Sequence, residues 1–176
     1  MIELYYTGAS EFLAVQQEIQ QSLGGNISSS RIPNSRINNL FRDDSAFGKQ
    51  KGLNENICIA IKNIGATISD LSLYVEISPE YEMFAGFVAP SQDNCGNLIF
   101  EKLKSQDEEP YYVEFENITG IANKVVIPTM EADSYIGLFL SKRYVTNPSE
   151  KCKAIDFENQ TEADKIESVK FIFDWT

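Results

Sequence analysis

The chain contains no histidine, a single tryptophan and only three cysteines in 176 residues. Without histidine it lacks the most common general base and metal ligand. A Ser-His-Asp or Cys-His nucleophilic arrangement is therefore impossible within one chain. Cys58, Cys95 and Cys152 are odd in number and far apart, and they form no Cys-x-x-Cys pair. No zinc site can be completed from them. They read as reduced thiols, with Cys58 buried or half-buried on a strand. The expectation is that no metal and no cofactor is needed.

Basic residues are also scarce. Fifteen Lys and Arg face 26 Asp and Glu, a net charge of -11. Nucleic-acid binding needs a basic face that releases counterions, so a nucleic-acid partner is not expected. An acidic surface favours solubility and steers partners with basic patches towards it. No window approaches the roughly 18 consecutive apolar residues of a membrane span, so no membrane partner is expected. The start, Met1-Ile2-Glu3-Leu4-Tyr5-Tyr6, lacks a basic region followed by a long apolar run, and no signal peptide is expected. A phosphate-cradling glycine loop is missing too: Gly24-Gly25 follows a helical pattern instead of preceding one. The apolar share of 43% and charged share of 23% are those of an ordinary globular chain, and the length suits one domain with a sizeable core.

What is present is mostly period-two patterning. The first ten residues look extended. Ser10 then reads as a helix N-cap with Glu11 in the first turn, and Phe12, Val15, Ile19 and Leu23 follow helical spacing up to Gly24-Gly25. This predicts one amphipathic helix over 10–23. Residues 26–56 are polar, with Pro33, Gly48 and Gly52, and read as a long irregular segment anchored by Ile32, Ile37, Leu40 and Phe41. From residue 57 onward, alternation predicts strands over 57–63, 71–78, 84–89, 98–103, 111–116, 124–127, 135–145 and 169–175. About eight short strands separated by Gly, Pro, Asn and Asp argue for an all-β, antiparallel sandwich, immunoglobulin-like or jelly-roll-like in architecture, with one N-terminal helix. The expected organisation is an N-terminal arm and helix over 1–30, then a sandwich domain over 31–176 with a long strap over 31–56.

Carboxylates are plentiful, and a two-carboxylate hydrolase would need a facing pair across a cleft. The acidic clusters Asp43-Asp44, Asp107-Glu108-Glu109 and Glu131-Asp133 all fall in turns, where a solvated face is the simpler reading. Tyr5, Tyr6, Tyr111, Tyr112 and Trp175 could line a sugar-binding face, although adjacent tyrosines on a strand point to opposite sides.

The segment Leu23-Gly24-Gly25-Asn26-Ile27-Ser28-Ser29-Ser30, followed by Asn38-Asn39-Leu40-Phe41-Arg42-Asp43, resembles a family of small β-sandwich proteins encoded in tailed-bacteriophage structural gene clusters. The order of later segments is similar as well: a strand ending in Lys62-Asn63, the apolar Phe84-Ala85-Gly86-Phe87-Val88-Ala89, a strand closing on Lys142-Arg143, an acidic loop over 156–165 and a terminal strand over 169–175. The resemblance spans roughly residues 23 to 175. The loop after Phe41 is more basic than the family pattern, with Arg42, Lys49 and Lys51, and the segment 92–123 is longer.

The resemblance implies a virion structural protein with no enzymatic activity and no catalytic residues. It would assemble in the host bacterial cytoplasm and occupy the head-decoration, collar/neck or tail-connector layer. Its partners would be other virion proteins and further copies of itself. The expected partner-binding residues are Arg31, Ile32, Arg36, Ile37, Leu40, Phe41 and Arg42 on the strap, the arginines facing acidic groups of a neighbour. The strap has too few apolar residues to recover its ordering cost alone, so it is expected to fold against that neighbour. The alternative is a sandwich that recognises carbohydrate or a host-surface molecule through its loops and exposed tyrosines.

Overall fold

Two antiparallel sheets hold about half of the described residues, 49%, and curl into a half-barrel. The computed structural model describes residues 1–41, 54–77, 81–144 and 169–175, with the backbone alone at 144 and 175. The strands are β1 (Ile2–Ala9), β2 (Gly25–Arg31), β3 (Glu55–Asn63), β4 (Leu71–Glu76), β5 (Tyr81–Val88), β6 (Ser91–Gln92), β7 (Leu98–Phe100), β8 (Glu116–Asn117), β9 (Val125–Val126), β10 (Tyr135–Tyr144) and β11 (Lys170–Trp175). The large sheet runs β6-β7-β2-β1-β3-β10-β5-β8 and the small one β11-β4-β9.

The main core fills the space between the sheets. Ile57, Ile59 and Ile61 of β3 face it with Leu138 and Leu140 of β10, and Leu71, Leu73 and Val75 of β4 close it from the other side. This is the burial that period-two alternation predicts for β4. β3 differs: Cys58 and Ala60, on its opposite face, are also buried. They join Ile27, Phe100, Leu103 and Phe139 in a second cluster on the outer face of the large sheet. Two-sided burial explains why β3 reads as a nearly continuous apolar run. The end of β3 is locked by Asn63, whose amide donates to the carbonyls of Ala66, Met130 and Glu131 at 2.8, 3.1 and 3.0 Å.

Residues 10–23 do not form a helix. The only helical turn there is a short 3-10 segment, Ile19–Gln21. The backbone of 11–16 instead bonds sideways to β2: Leu13 N donates to Ile27 O at 2.8 Å and Ser29 N to Ala14 O at 3.1 Å. Ser28 Oγ accepts from Gln16 N at 2.9 Å and donates to Gln16 O at 2.8 Å. Leu13 sits at φ 60, which is incompatible with a right-handed helix. The expected apolar stripe is divided. Ile19 packs on the main core and Phe12 and Leu23 on the outer cluster, while Val15 is 74% exposed. Competing side-chain and cross-strand hydrogen bonds outweigh helical spacing here.

Two further segments depart from the sequence reading. Residues 25–31 are a strand, not an irregular segment: β2 pairs with β1 through two register shifts and with β7 at Gly25 and Asn26. Its single buried apolar residue, Ile27, gives no period-two signal. Conversely, 111–116 is not a strand. Tyr111 and Tyr112 form a turn, and pairing with β5 is confined to Glu116 and Asn117. The loop before them lies directly over β5, where a Cβ at Gly86 would fall 2.7 Å from Glu114 O.

Candidate docking surface

The strap leaves the large sheet at Arg31 and returns across the sandwich. Ile32 N donates to Leu4 O at 2.7 Å, extending the β1–β2 pairing by one step. Pro33, extended at φ -63 and ψ 144, then opens a 3-10 helix, Asn34–Asn39. Pro33 O accepts from Arg36 N at 2.8 Å. The turn is fastened to the small sheet by Asn38 Oδ1, which accepts from Phe171 N at 3.2 Å.

Ile32 and Leu40 are buried in the main core, and Ile37 and Phe41 pack against it half-buried. All four anchors are thus occupied within the chain's own sandwich. Arg31 is engaged as well: its guanidinium pairs with the Glu3 carboxylate on the neighbouring strand. Glu3 Oε2 also accepts from Tyr5 Oη at 2.7 Å. That hydrogen bond holds the neutral phenol, and with partial burial and the Glu3 charge it pushes the Tyr5 pKa up to about 12. Arg36 alone of the described arginines is exposed and makes no ion pair with a described residue. It lines a polar cleft of about 310 Å³ with Tyr6, Gln17, Gln20 and Asn39. Arg42 lies outside the described residues.

The strap's inner end meets a buried cation. Lys142 stands opposite Glu55 in the β3–β10 register. Its ammonium lies 4.5 Å from the Tyr81 ring centroid and 6.0 Å from that of Phe41. Arg143, on the other face, stacks on Phe84 at 4.1 Å and pairs with Glu109 at 3.4 Å.

Among the described residues, the acidic clusters are engaged one carboxylate at a time with other side chains. Glu109 also accepts from Asn54, Glu131 accepts from Thr67 at 2.9 Å, and Asp133 pairs with Lys62 at 3.7 Å. Asp43 and Asp44 lie outside the described residues. No group of three metal-ligating side chains occurs among the described residues. Cys58 is buried, and desolvation pushes its thiol up; Cys95 is exposed, and Cys152 lies outside the described residues. No helix among the described residues is long and apolar enough to cross a membrane.

A second surface joins two of the tyrosines that the sequence offers for a sugar-binding face but assigns to opposite sides of a strand. Tyr111 and Tyr112, at 85% and 89% exposure, stand over a groove of about 530 Å³ whose floor is Val88, Ile99 and Phe100. Their ring centroids are 6.3 Å apart with planes at 46°. Glu101 lines the groove and fixes the turn, its carboxylate accepting from Tyr111 N at 3.0 and 3.2 Å. The adjoining β6–β7 turn is held by Asp93, which accepts from Cys95 N at 2.8 Å and Asn97 N at 2.9 Å. The Asn97 side chain, bonded to it at 3.0 Å, does most to hold the Asp93 carboxyl below its ordinary range. The signal for this surface was Pro110 after an acidic turn run, followed by two large aromatics. Tyr5 and Tyr6 behave as strand neighbours should: Tyr5 faces the outer cluster and Tyr6 is buried in the main core.

No family model, curated protein or solved structure matches this chain.

Proposed function

We propose that this chain is a non-enzymatic structural subunit of a tailed-bacteriophage virion. It would sit in the head-decoration, collar/neck or tail-connector layer and dock in multiple copies on neighbouring virion proteins. Its sandwich is read as immunoglobulin-like or jelly-roll-like, and it assembles in the host bacterial cytoplasm. Repetition supplies the strength: one small contact becomes tight when many copies engage a symmetric lattice at once.

The observation that carries the reading is the ordered series of motifs read in the sequence, and four of its described residues also have a clear place in this fold. Gly24 takes φ 86 where a Cβ would fall 1.8 Å from Glu101 O. Ile27 fills the outer cluster, Leu40 the main core, and Asn63 locks the end of β3. With its apolar anchors turned inward, the strap offers a partner a polar face: Asn34, Ser35, Arg36 and Asn39 are exposed. An arginine there suits an acidic group on a neighbour.

The carbohydrate alternative asks for aromatics with several convergent polar groups. The tyrosine groove has the aromatics, but its polar side chains besides the tyrosines are Glu101 and Ser91, and Ser91 is already hydrogen-bonded to Ile99 O, so few polar groups converge on a sugar. Structural docking is therefore the better-supported reading. Mass spectrometry of purified particles tests it. A copy number on the scale of a head lattice indicates decoration, one on the scale of a single ring indicates neck or tail, and absence from particles overturns the proposal.

A further inference from the structure

We infer that the groove under Tyr111 and Tyr112 is a docking site for an arginine- or lysine-bearing segment of a partner protein. The inference rests on the docking reading for its protein partner, and it uses a different surface from the strap.

Two adjacent tyrosines above 80% exposure present apolar rings with polar tips at the surface, the amphipathic residue type enriched at interfaces. They are not loosely placed. Pro110 is buried behind them, and the Glu101 carboxylate holds the Tyr111 amide. The rings are tilted at 46° with centroids 6.3 Å apart, so one cation beside the pair can lie within about 6 Å of both centroids. The floor of Val88, Ile99 and Phe100 is apolar, which suits the methylene stem of a long basic side chain.

Charge selects the occupant. Glu101 is the charged residue lining the groove. It spends acceptor capacity on one amide, and a carboxylate with about four lone-pair sites retains the rest. The adjacent Lys102 is turned away, its side chain lying against Gly25. The chain as a whole carries a net charge of -11, which draws a basic segment in. A neutral sugar would gain little from these features, since few free polar groups converge on its hydroxyls.

The floor is shaped by Gly137 of β10. A Cβ there would fall 2.7 Å from the Phe100 ring and 2.8 Å from Val88, so glycine lets both side chains settle onto the sheet.

The test uses the full chain and a blocked Gly-Arg-Gly-Arg peptide, with its citrulline counterpart and chitotetraose as competing probes, followed by NMR shifts of the tyrosine rings and groove methyls. Arginine-peptide binding should weaken at least tenfold in a Tyr111→Ser/Tyr112→Ser double variant and with citrulline. In Glu101→Gln, which keeps an acceptor for the Tyr111 amide but removes the charge, binding should weaken and become less salt-dependent. Circular dichroism of both variants checks that the fold persists. The inference is overturned if the wild-type groove shows no shift with the arginine peptide, if citrulline or the double variant binds equally well, or if chitotetraose occupies the groove and the peptide does not. Failure of peptide binding with the wild-type chain present in particles sinks this inference alone. Absence of the chain from particles sinks the virion reading, whatever the peptide does.

Discussion

The hydroxyl of Thr7 donates to the carbonyl of Cys58 across the β1–β3 pair at 2.6 Å, with both residues fully buried. The same oxygen accepts from Gly24 N at 3.0 Å, and Ser22 Oγ donates to the same carbonyl at 2.8 Å. Two small hydroxyls thereby pin the turn before β2 to the edge of β3 where β1 diverges, and there Leu23 bridges Cys58 in parallel and Ser22 O accepts from Cys58 N at 2.7 Å. Replacing Thr7 by Val keeps the shape and strands the Gly24 amide without its acceptor. The expected cost is about 1–3 kcal/mol, the penalty of a buried unsatisfied polar group. Urea denaturation should show a lower midpoint with an unchanged slope.

Core and surface substitutions separate the observed 10–23 segment from a helix. Leu73 is fully buried between the sheets, and Leu73→Ala should cost about 2–5 kcal/mol. Val15 is 74% exposed, so Val15→Ala should change stability by no more than about 0.5 kcal/mol. A helix packing its Phe12, Val15, Ile19 and Leu23 stripe would instead make Val15→Ala clearly destabilising. Thermal unfolding of the two variants beside the parent protein measures both.

How far the sequence revealed this architecture follows from where the stabilising interactions lie. β3, β4, β10 and β11 bury apolar side chains in strict alternation or in a continuous run, so local pattern suffices to find them. β2 and the segment before it are held by Thr7, Gln16, Ser22 and Ser28 hydrogen-bonding to backbone 9 to 51 residues away. Local periodicity carries no trace of such contacts, and the helical spacing of Phe12 to Leu23 was coincidental. The strap's anchors were visible as isolated apolar residues, but the surface they would meet was not. Tyr111 and Tyr112 resembled a strand because aromatics favour strands; only the backbone turn places both on one exposed rim.

Alkaline pH should reveal the Glu3–Tyr5 bond. Tyr5 has its pKa raised from 10.0 to about 12, because its neutral form donates to Glu3 and its anion would face the Glu3 charge. A raised folded-state pKa means the unfolded chain loses the proton first. The stabilisation is therefore complete below pH 10.0 and is lost as pH rises towards about 12. Glu3→Gln removes the charge, and Tyr5 should then ionise closer to its ordinary range. Tyrosine ring NMR across an alkaline titration follows it residue by residue. Identical titration of Tyr5 in both proteins would contradict this account.

The cysteines should differ sharply in reactivity. The thiolate is the nucleophile, and burial keeps Cys58 both protonated and inaccessible. Cys95 is exposed at the β6–β7 turn. In a Cys152→Ser background, native protein should incorporate one equivalent of an alkylating reagent rapidly at Cys95. Cys58 should follow only on addition of denaturant. Peptide mapping assigns the sites, and labelling of Cys58 at a rate near that of Cys95 in native protein would mean that the outer cluster opens freely.

The strap supplies the last prediction. Its sequence suggests a segment that orders only against a neighbour, since few apolar residues repay a backbone cost of about 1–2 kcal/mol each. The structure changes that balance over 31–41. Ile32 and Leu40 are buried in the chain's own core, Ile32 N is bonded to Leu4 O, and Arg36 N to Pro33 O. Hydrogen exchange on the isolated protein should therefore protect Ile32 strongly, because its amide sits in the sheet beside the core. Arg36 should be protected more weakly, since a single-turn bond on an exposed 3-10 helix opens locally. Asn34 and Ser35, in the exposed first turn, should exchange fastest. Asn38→Ala removes the acceptor of Phe171 N and should speed exchange at Arg36 and Phe171 together, because the two elements are joined at that bond. If the strap also contacts a neighbour, assembly into particles should slow Asn34, Ser35 and Arg36 while leaving Ile32 unchanged. Rapid exchange of Ile32 in the isolated protein would show that the strap leaves its own sandwich in solution. Equal exchange of 34–36 in isolated protein and particles would reject the strap as a contact surface.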